Sequence, residues 1–156
     1  MYKALIFLLI ILSIVAILPA LGSEIREQDK NSDGITDLWV YYDDKRPVKI
    51  ESDRNYDGIL DMWIFYEKGG KKSIKVDLNF DGNPDMYSNY LYGQRIKFEI
   101  DTDYDGKIDQ ISEYRDRKII KLQRDTDLDG KLETIFDISN VKTNKIERIK
   151  VETLDQ

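Results

Sequence analysis

The 156-residue chain has no cysteine and no histidine, and only three prolines and two tryptophans. Without cysteine no disulfide can stabilise the fold, and without either residue the preferred donors of zinc, copper and iron are missing. Thiol nucleophiles and imidazole general bases are excluded at the same time. No G-x-S-x-G and no phosphate-binding glycine loop occurs. Beyond Gly22 there is no long apolar run and no sustained helical periodicity.

What the chain does have is aspartate at a fixed interval. Asp29, Asp53, Asp77, Asp101 and Asp125 stand 24 residues apart, and each opens a segment of the form D-x-[DN]-x-D-G-x-x-[DE]. With the first aspartate as position 1, oxygen donors recur at positions 1, 3, 5 and 9. They are Asp29, Asn31, Asp33 and Asp37 in loop 1; Asp53, Asn55, Asp57 and Asp61 in loop 2; and Asp77, Asn79, Asp81 and Asp85 in loop 3. Loop 4 has Asp101, Asp103, Asp105 and Asp109, and loop 5 has Asp125, Asp127, Asp129 and Glu133. A hard cation such as calcium takes six to eight oxygens, and a short loop wraps them round one ion only if a glycine permits a sharp turn. Gly34, Gly58, Gly82, Gly106 and Gly130 fill position 6. Turn chemistry alone also favours Asp, Asn and Gly, yet it does not require carboxylates at positions 1, 5 and 9 in all five segments. All-oxygen loops suit calcium better than magnesium or manganese, and the pattern predicts about five calcium ions.

Charge follows the same division. Of the 30 acidic residues, 17 lie at the ligand positions, three in each of the first three loops and four in each of the last two. The formal charge of −6 therefore hides a basic remainder, and each empty loop concentrates mutual repulsion. Folding is expected to depend on calcium.

Ala4 to Leu18 is an apolar run broken only by Ser13, preceded by Lys3 and followed by Pro19-Ala20-Leu21-Gly22. This has the form of a signal peptide over residues 1–22, with small residues at Ala20 and Gly22 for cleavage before Ser23. An uncleaved anchor is the alternative, since Ala4 to Leu21 is just long enough to span a bilayer. Either way the expectation is an exported chain, secreted, periplasmic or at the cell surface, where millimolar calcium fills weak oxygen loops.

The 24-residue period predicts one supersecondary unit repeated. Even positions are apolar, as in Leu38, Val40 and Tyr42 or Met62, Ile64 and Tyr66, whereas position 21 is Lys49, Lys97, Lys121 and Lys145 in four repeats. Alternation with period two marks half-buried strands. Each repeat should hold two strands, near positions 9–15 and 19–24. A hairpin centred on position 17 pairs 14 with 20, 12 with 22 and 10 with 24, and the acidic loop preserves the same register. The fold class expected is all-β, an antiparallel meander of about ten strands from five hairpin repeats over residues 29–148. Residues 23–28 read as a linker and 149–156 as a C-terminal tail. A rolled or barrel-like sheet is favoured, with an elongated twisted sheet as the alternative.

The loops resemble the D-x-D-x-D-G-x-x-D calcium loops of integrin-type propellers and the related loops of thrombospondin type 3 repeats, over residues 29 to 133 and as a motif only. That resemblance implies coordination by side chains at 1, 3, 5 and 9 and by the backbone carbonyl at 7, here Ile35, Ile59, Asn83, Lys107 and Lys131. The EF-hand likeness is confined to the loop. Its position-12 glutamate is replaced by Val40, Ile64, Ser88, Ser112 and Phe136, and no helices flank the segment.

Two surface features bear on partners. Position 11 is Trp39, Trp63, Tyr87, Ile111 and Ile135, an aromatic column that either stacks on a glycan or partner or packs beneath neighbouring Lys and Glu stems. At the end of the hairpins away from the loops lie Lys45, Arg46, Lys68, Lys71, Lys72, Arg95, Arg115, Arg117, Lys118, Lys142 and Lys145. This basic rim either docks an anionic envelope component or prevents edge aggregation. The function expected is a calcium-rigidified scaffold or binding module at the cell envelope. A calcium-dependent polysaccharide hydrolase or lyase and a calcium reservoir are the alternatives. Every recurrent carboxylate is assigned to a metal, so an enzyme is not expected. Nucleic acid is not an expected partner, and membrane contact is expected only if the N-terminal segment stays uncleaved.

Overall fold

A computed structural model describes residues 23–140. Ten strands form one antiparallel sheet: β1 (Glu24–Gln28), β2 (Leu38–Asp43), β3 (Arg46–Ser52), β4 (Met62–Glu67), β5 (Gly70–Val76), β6 (Met86–Leu91), β7 (Gln94–Ile100), β8 (Gln110–Arg115), β9 (Lys118–Arg124) and β10 (Glu133–Asp137). Spatial order equals chain order, and none of the described residues is helical. The signal-peptide expectation, the second strand of the fifth repeat and the C-terminal tail lie outside the described residues.

The sheet is open, which corrects the rolled or barrel-like expectation in favour of the elongated one. Register supplies the physical reason. A single row of paired residues runs straight across all ten strands: Arg26, Val40, Ile50, Ile64, Ile74, Ser88, Phe98, Ser112, Leu122 and Phe136. Closing a barrel requires tilted strands whose register staggers steadily round the sheet. Here every 24-residue unit returns to the same height, so no stagger accumulates.

Two details of the hairpins also differ from expectation. The pairs 12 with 22 and 10 with 24 form, but position 14 meets position 19 rather than 20: Tyr42 pairs with Pro47, Tyr66 with Lys71, Tyr90 with Arg95 and Tyr114 with Ile119. A one-residue bulge at Val48, Lys72, Ile96 or Ile120 absorbs the difference. Its cause is the turn. Two residues, both at positive φ, connect each hairpin: Asp44 and Lys45 at 45° and 61°, Lys68 and Gly69 at 51° and 81°. This mirror-image turn suits strand twist and is two residues long, one fewer than a turn centred on position 17 allows.

Residues 24–28 form an edge strand rather than a linker. β1 pairs Gln28 with Leu38 and Arg26 with Val40, the places of positions 24 and 22 of a preceding repeat. Its side chains are exposed and three of the five are charged, which is how natural edges avoid pairing with other chains.

A single layer buries little hydrocarbon. Among the described residues only Val76 and Ile120 are buried apolar side chains, while the even-face residues Val40, Ile50, Ile64 and Ile74 are half-buried. The other buried residues are Ser88, Ser112 and eight aspartates. The innermost part of this fold is therefore its row of loops.

Candidate metal-binding loops

The eight buried aspartates are Asp53, Asp77, Asp101 and Asp125 at position 1, and Asp37, Asp61, Asp85 and Asp109 at position 9. Only the two ends of the series, Asp29 and Glu133, are exposed. A buried carboxylate is tolerated when donors surround it, and here the loop's own backbone supplies them. The position-1 carboxylate accepts the N–H of position 4 on one oxygen, at 2.6 Å from Tyr56 to Asp53 and 2.7 Å from Tyr104 to Asp101. Its other oxygen accepts the N–H of the position-6 glycine, at 2.8 Å for Gly106 and 2.6 Å for Gly130. The position-9 carboxylate accepts the N–H of position 2, at 2.6 Å from Lys30 to Asp37, 2.7 Å from Leu78 to Asp85 and 2.6 Å from Thr102 to Asp109. Position 5 accepts the N–H of position 7, as Asp33 does from Ile35 at 2.7 Å.

Each loop turns through two left-handed residues. The position-6 glycine has φ between 83° and 93°, as the sequence pattern requires. Position 4 is also left-handed, although it is Ser32, Tyr56, Phe80, Tyr104 and Leu128, at φ from 60° to 66°. No composition signal marks that position in the sequence. In the first four loops the N–H released by this conformation bonds to the position-1 carboxylate, which offsets the strain of a bulky residue there.

Neighbouring loops are tied through their main chains. The N–H of each position 1 donates to the carbonyl of the preceding position 9: Asp53 to Asp37 at 2.9 Å, then Asp77 to Asp61, Asp101 to Asp85 and Asp125 to Asp109 at 2.8 Å. Each position 9 in turn donates to the end of the strand before its loop, as Asp61 does to Ser52 at 3.0 Å. The carboxylate row is thus continuous with the sheet.

The predicted ligands converge to different extents. In loop 4 one carboxylate oxygen from each of Asp101, Asp103 and Asp109 lies within 4.8 Å of the other two, and in loop 5 the same holds for Asp125, Asp127 and Glu133. Both clusters can hold a metal ion. Asp105 and Asp129 stand outside them, engaged by Lys107 Nζ at 2.7 Å and Lys131 Nζ at 2.6 Å. In loops 1 to 3 the amide of Asn31, Asn55 and Asn79 turns to the position-5 carboxylate of Asp33, Asp57 and Asp81 at 2.8, 2.8 and 3.0 Å. Position 7 contributes its N–H to that carboxylate in all five loops, and the side chains of Ile35 and Ile59 point to solvent.

Electrostatics separate the ligands. Loss of water around its carboxyl, and then the neighbouring carboxylates of Asp109, Asp105 and Asp101, push the exposed Asp103 above the usual carboxylate range, more than the N–H of Asp105 pulls it down. Lys107 holds Asp105 below that range, through its side chain and then its N–H. The amide of Asn79 does the same for Asp81. At Asp125 burial acts upward, but N–H groups from Gly130, Leu128, Asp129 and Asp127 outweigh it and the carboxyl is held low. Carboxylates gathered as Asp101, Asp103 and Asp109 are repel one another, and a cation among them relieves that repulsion. The converging donors are carboxylates, with no sulfur or nitrogen, a set that suits a hard metal ion.

The surface features are present in altered form. Trp39, Trp63 and Tyr87 are half-buried, in a row that alternates with charged residues: Glu27, Trp39, Glu51, Trp63, Lys75, Tyr87 and Glu99. The described lysines and arginines of the rim are exposed at the hairpin turns, Lys72 pairing with Glu67 at 3.0 Å. Lys142 and Lys145 lie outside the described residues.

No protein-family model matches the chain, and no curated protein matches it either.

Proposed function

We propose that the loops bind calcium and that the ions rigidify an exported β-repeat scaffold. The observation that carries this reading is the convergence of three carboxylates at positions 1, 3 and 9 in loops 4 and 5, in a chain whose donors are all oxygen. Carboxylates held together on a well-formed backbone repel one another, and a divalent cation relieves that repulsion. The apolar run at Ala4 to Leu18 supports export, because calcium is abundant outside cells. As a scaffold the sheet presents the Trp39, Trp63 and Tyr87 row and the basic rim to a glycan or envelope partner. Calorimetric titration of residues 23–156 with calcium tests the proposal. Several sites, up to one per loop, with Kd of order 10⁻⁴ to 10⁻³ M are expected. Heat no greater than that of dilution would refute it.

A further inference from the structure

Loop 2 differs from its neighbours in what meets its position-9 carboxylate. Asp61 is 2 % exposed, and both of its oxygens are taken by Arg54. The main-chain N–H of Arg54 donates to Oδ2 at 2.6 Å, and the guanidinium Nε donates to Oδ1. The same guanidinium reaches loop 3, where its terminal nitrogen donates to the carbonyl of Asp77 at 2.6 Å and its carbon stands 5.3 Å from the centre of the Phe80 ring. One side chain thus clasps a ligand carboxylate, the backbone of the next loop and an aromatic face.

The other loops lack an equivalent among the described residues. Position 2 is Thr102 in loop 4 and Thr126 in loop 5, whose hydroxyls donate to Asp109 at 2.6 Å and to Glu133 at 3.0 Å. A hydroxyl satisfies one lone pair and leaves the negative charge for an ion. Leu78 in loop 3 has no side-chain donor, and Lys30 reaches Asp37 through its main-chain N–H. Lys107 and Lys131 also touch acidic side chains, but at position 5, where Asp105 and Asp129 are 41 % and 43 % exposed. Those lysines are more exposed still and are screened by water, so an ion displaces them easily. Arg54 is 35 % exposed, less than either lysine, and displacing it takes a permanent charge, held by two directed side-chain hydrogen bonds, away from a buried carboxylate.

We propose that Arg54 is a built-in cation that closes loop 2 against calcium. This rests on the calcium reading of the remaining loops. The guanidinium supplies the positive charge that an ion supplies elsewhere, and it ties loop 2 to loop 3 whether or not calcium is present. The array therefore has a calcium-independent joint between its second and third loops.

Counting bound calcium by equilibrium dialysis and by native mass spectrometry of the whole chain tests this. Arg54→Thr, which copies loops 4 and 5, is expected to bind one ion more than the unaltered protein. With Arg54 in place, Asn55→Ala at position 3 of loop 2 should leave the count unchanged, while Asp103→Ala at the same position of loop 4, within the carboxylate cluster, lowers it by one. In chelator, Arg54→Thr should melt below the unaltered protein, because Asp61 then lacks its counter-charge. Equal non-zero counts for the unaltered chain and Arg54→Thr would overturn the inference, as would a count lowered by Asn55→Ala with Arg54 in place. Should Arg54→Thr not fold, the Asn55→Ala count, set against that of Asp103→Ala, decides alone. If neither chain binds any ion, the calcium reading itself fails and this inference falls with it.

Discussion

The main-chain N–H of Asp77 donates to the carbonyl of Asp61 at 2.8 Å, joining the first residue of loop 3 to the last residue of loop 2. Both side chains are buried, at 1 % and 2 % exposure, whereas among the described residues only Val76 and Ile120 are buried apolar side chains. Chain continuity, sheet register and ligand placement therefore meet at the same residues. A single-layer sheet gains little from hydrophobic burial, so the loop row bears an unusual share of its cohesion.

Removing a buried position-1 carboxylate should consequently damage the fold even without calcium. Asp77→Ala leaves the N–H groups of Phe80 and Gly82 without their 2.7 Å acceptors, and is expected to destabilise by about 2–4 kcal/mol. Asp81→Ala removes an exposed side chain from the same loop and should lose less than about 1 kcal/mol. Urea unfolding in chelator measures both. Equal losses would show that the buried row is not the core.

Position 3 should rank the sites. Asp103→Asn gives loop 4 the donor set of the first three loops, removing one charge from a cluster whose oxygens lie within 4.8 Å. Calcium affinity at one site should fall by about tenfold, since ligand charge tunes such loops. A calorimetric isotherm that is unchanged would mean that loop shape rather than charge sets affinity.

Ser88 offers a test in the opposite direction. Its hydroxyl is buried between Ile74 and Phe98 with no hydrogen-bond partner, whereas the hydroxyl of Ser112, two strands on, accepts from Gln110 at 3.3 Å. Ser88→Ala removes an orphan polar group and is expected to stabilise by about 1 kcal/mol. Ser112→Ala should be neutral or slightly harmful. If thermal melts show Ser88→Ala to be the more destabilising, the hydroxyl has a partner in solution.

Much of this arrangement is legible in the sequence because one constraint repeats. Aspartate every 24 residues, glycine at position 6 and alternating apolar strands specify the loops, the strand pairing and the even-face row from Val40 to Leu122. What escaped has identifiable causes. Closure is a property of accumulated stagger, and a repeat that always restores its register gives none, although its apolar face argues for a second layer. The hairpin bulges follow from two-residue turns that are signposted at Lys68-Gly69 and Tyr92-Gly93 but not at Asp44-Lys45 or Asp116-Arg117. β1 has no apolar alternation to mark it, because an exposed edge does not need one. Arg54 reads as one more surface cation until the fold brings loop 3 beside it.

The aromatic row can be separated from the fold by comparing two truncations. Ile120 is 6 % exposed and packs at the bulge of the last complete hairpin, so Ile120→Ala should lose about 2–4 kcal/mol. Trp63 is half-buried, with Glu51 and Lys75 beside it on the neighbouring strands, and its truncation exposes their stems to water rather than opening a cavity. A loss of about 1–2 kcal/mol is expected for Trp63→Ala, below the range for emptying a buried aromatic site. If the row presents a binding surface, Trp63→Ala should also weaken attachment to envelope glycan while the calcium count stays the same. Denaturant melts and a glycan pull-down read the two effects independently. A loss for Trp63→Ala as large as that for Ile120→Ala, with calcium binding lost as well, would place Trp63 in the structural core and withdraw the row as a docking surface.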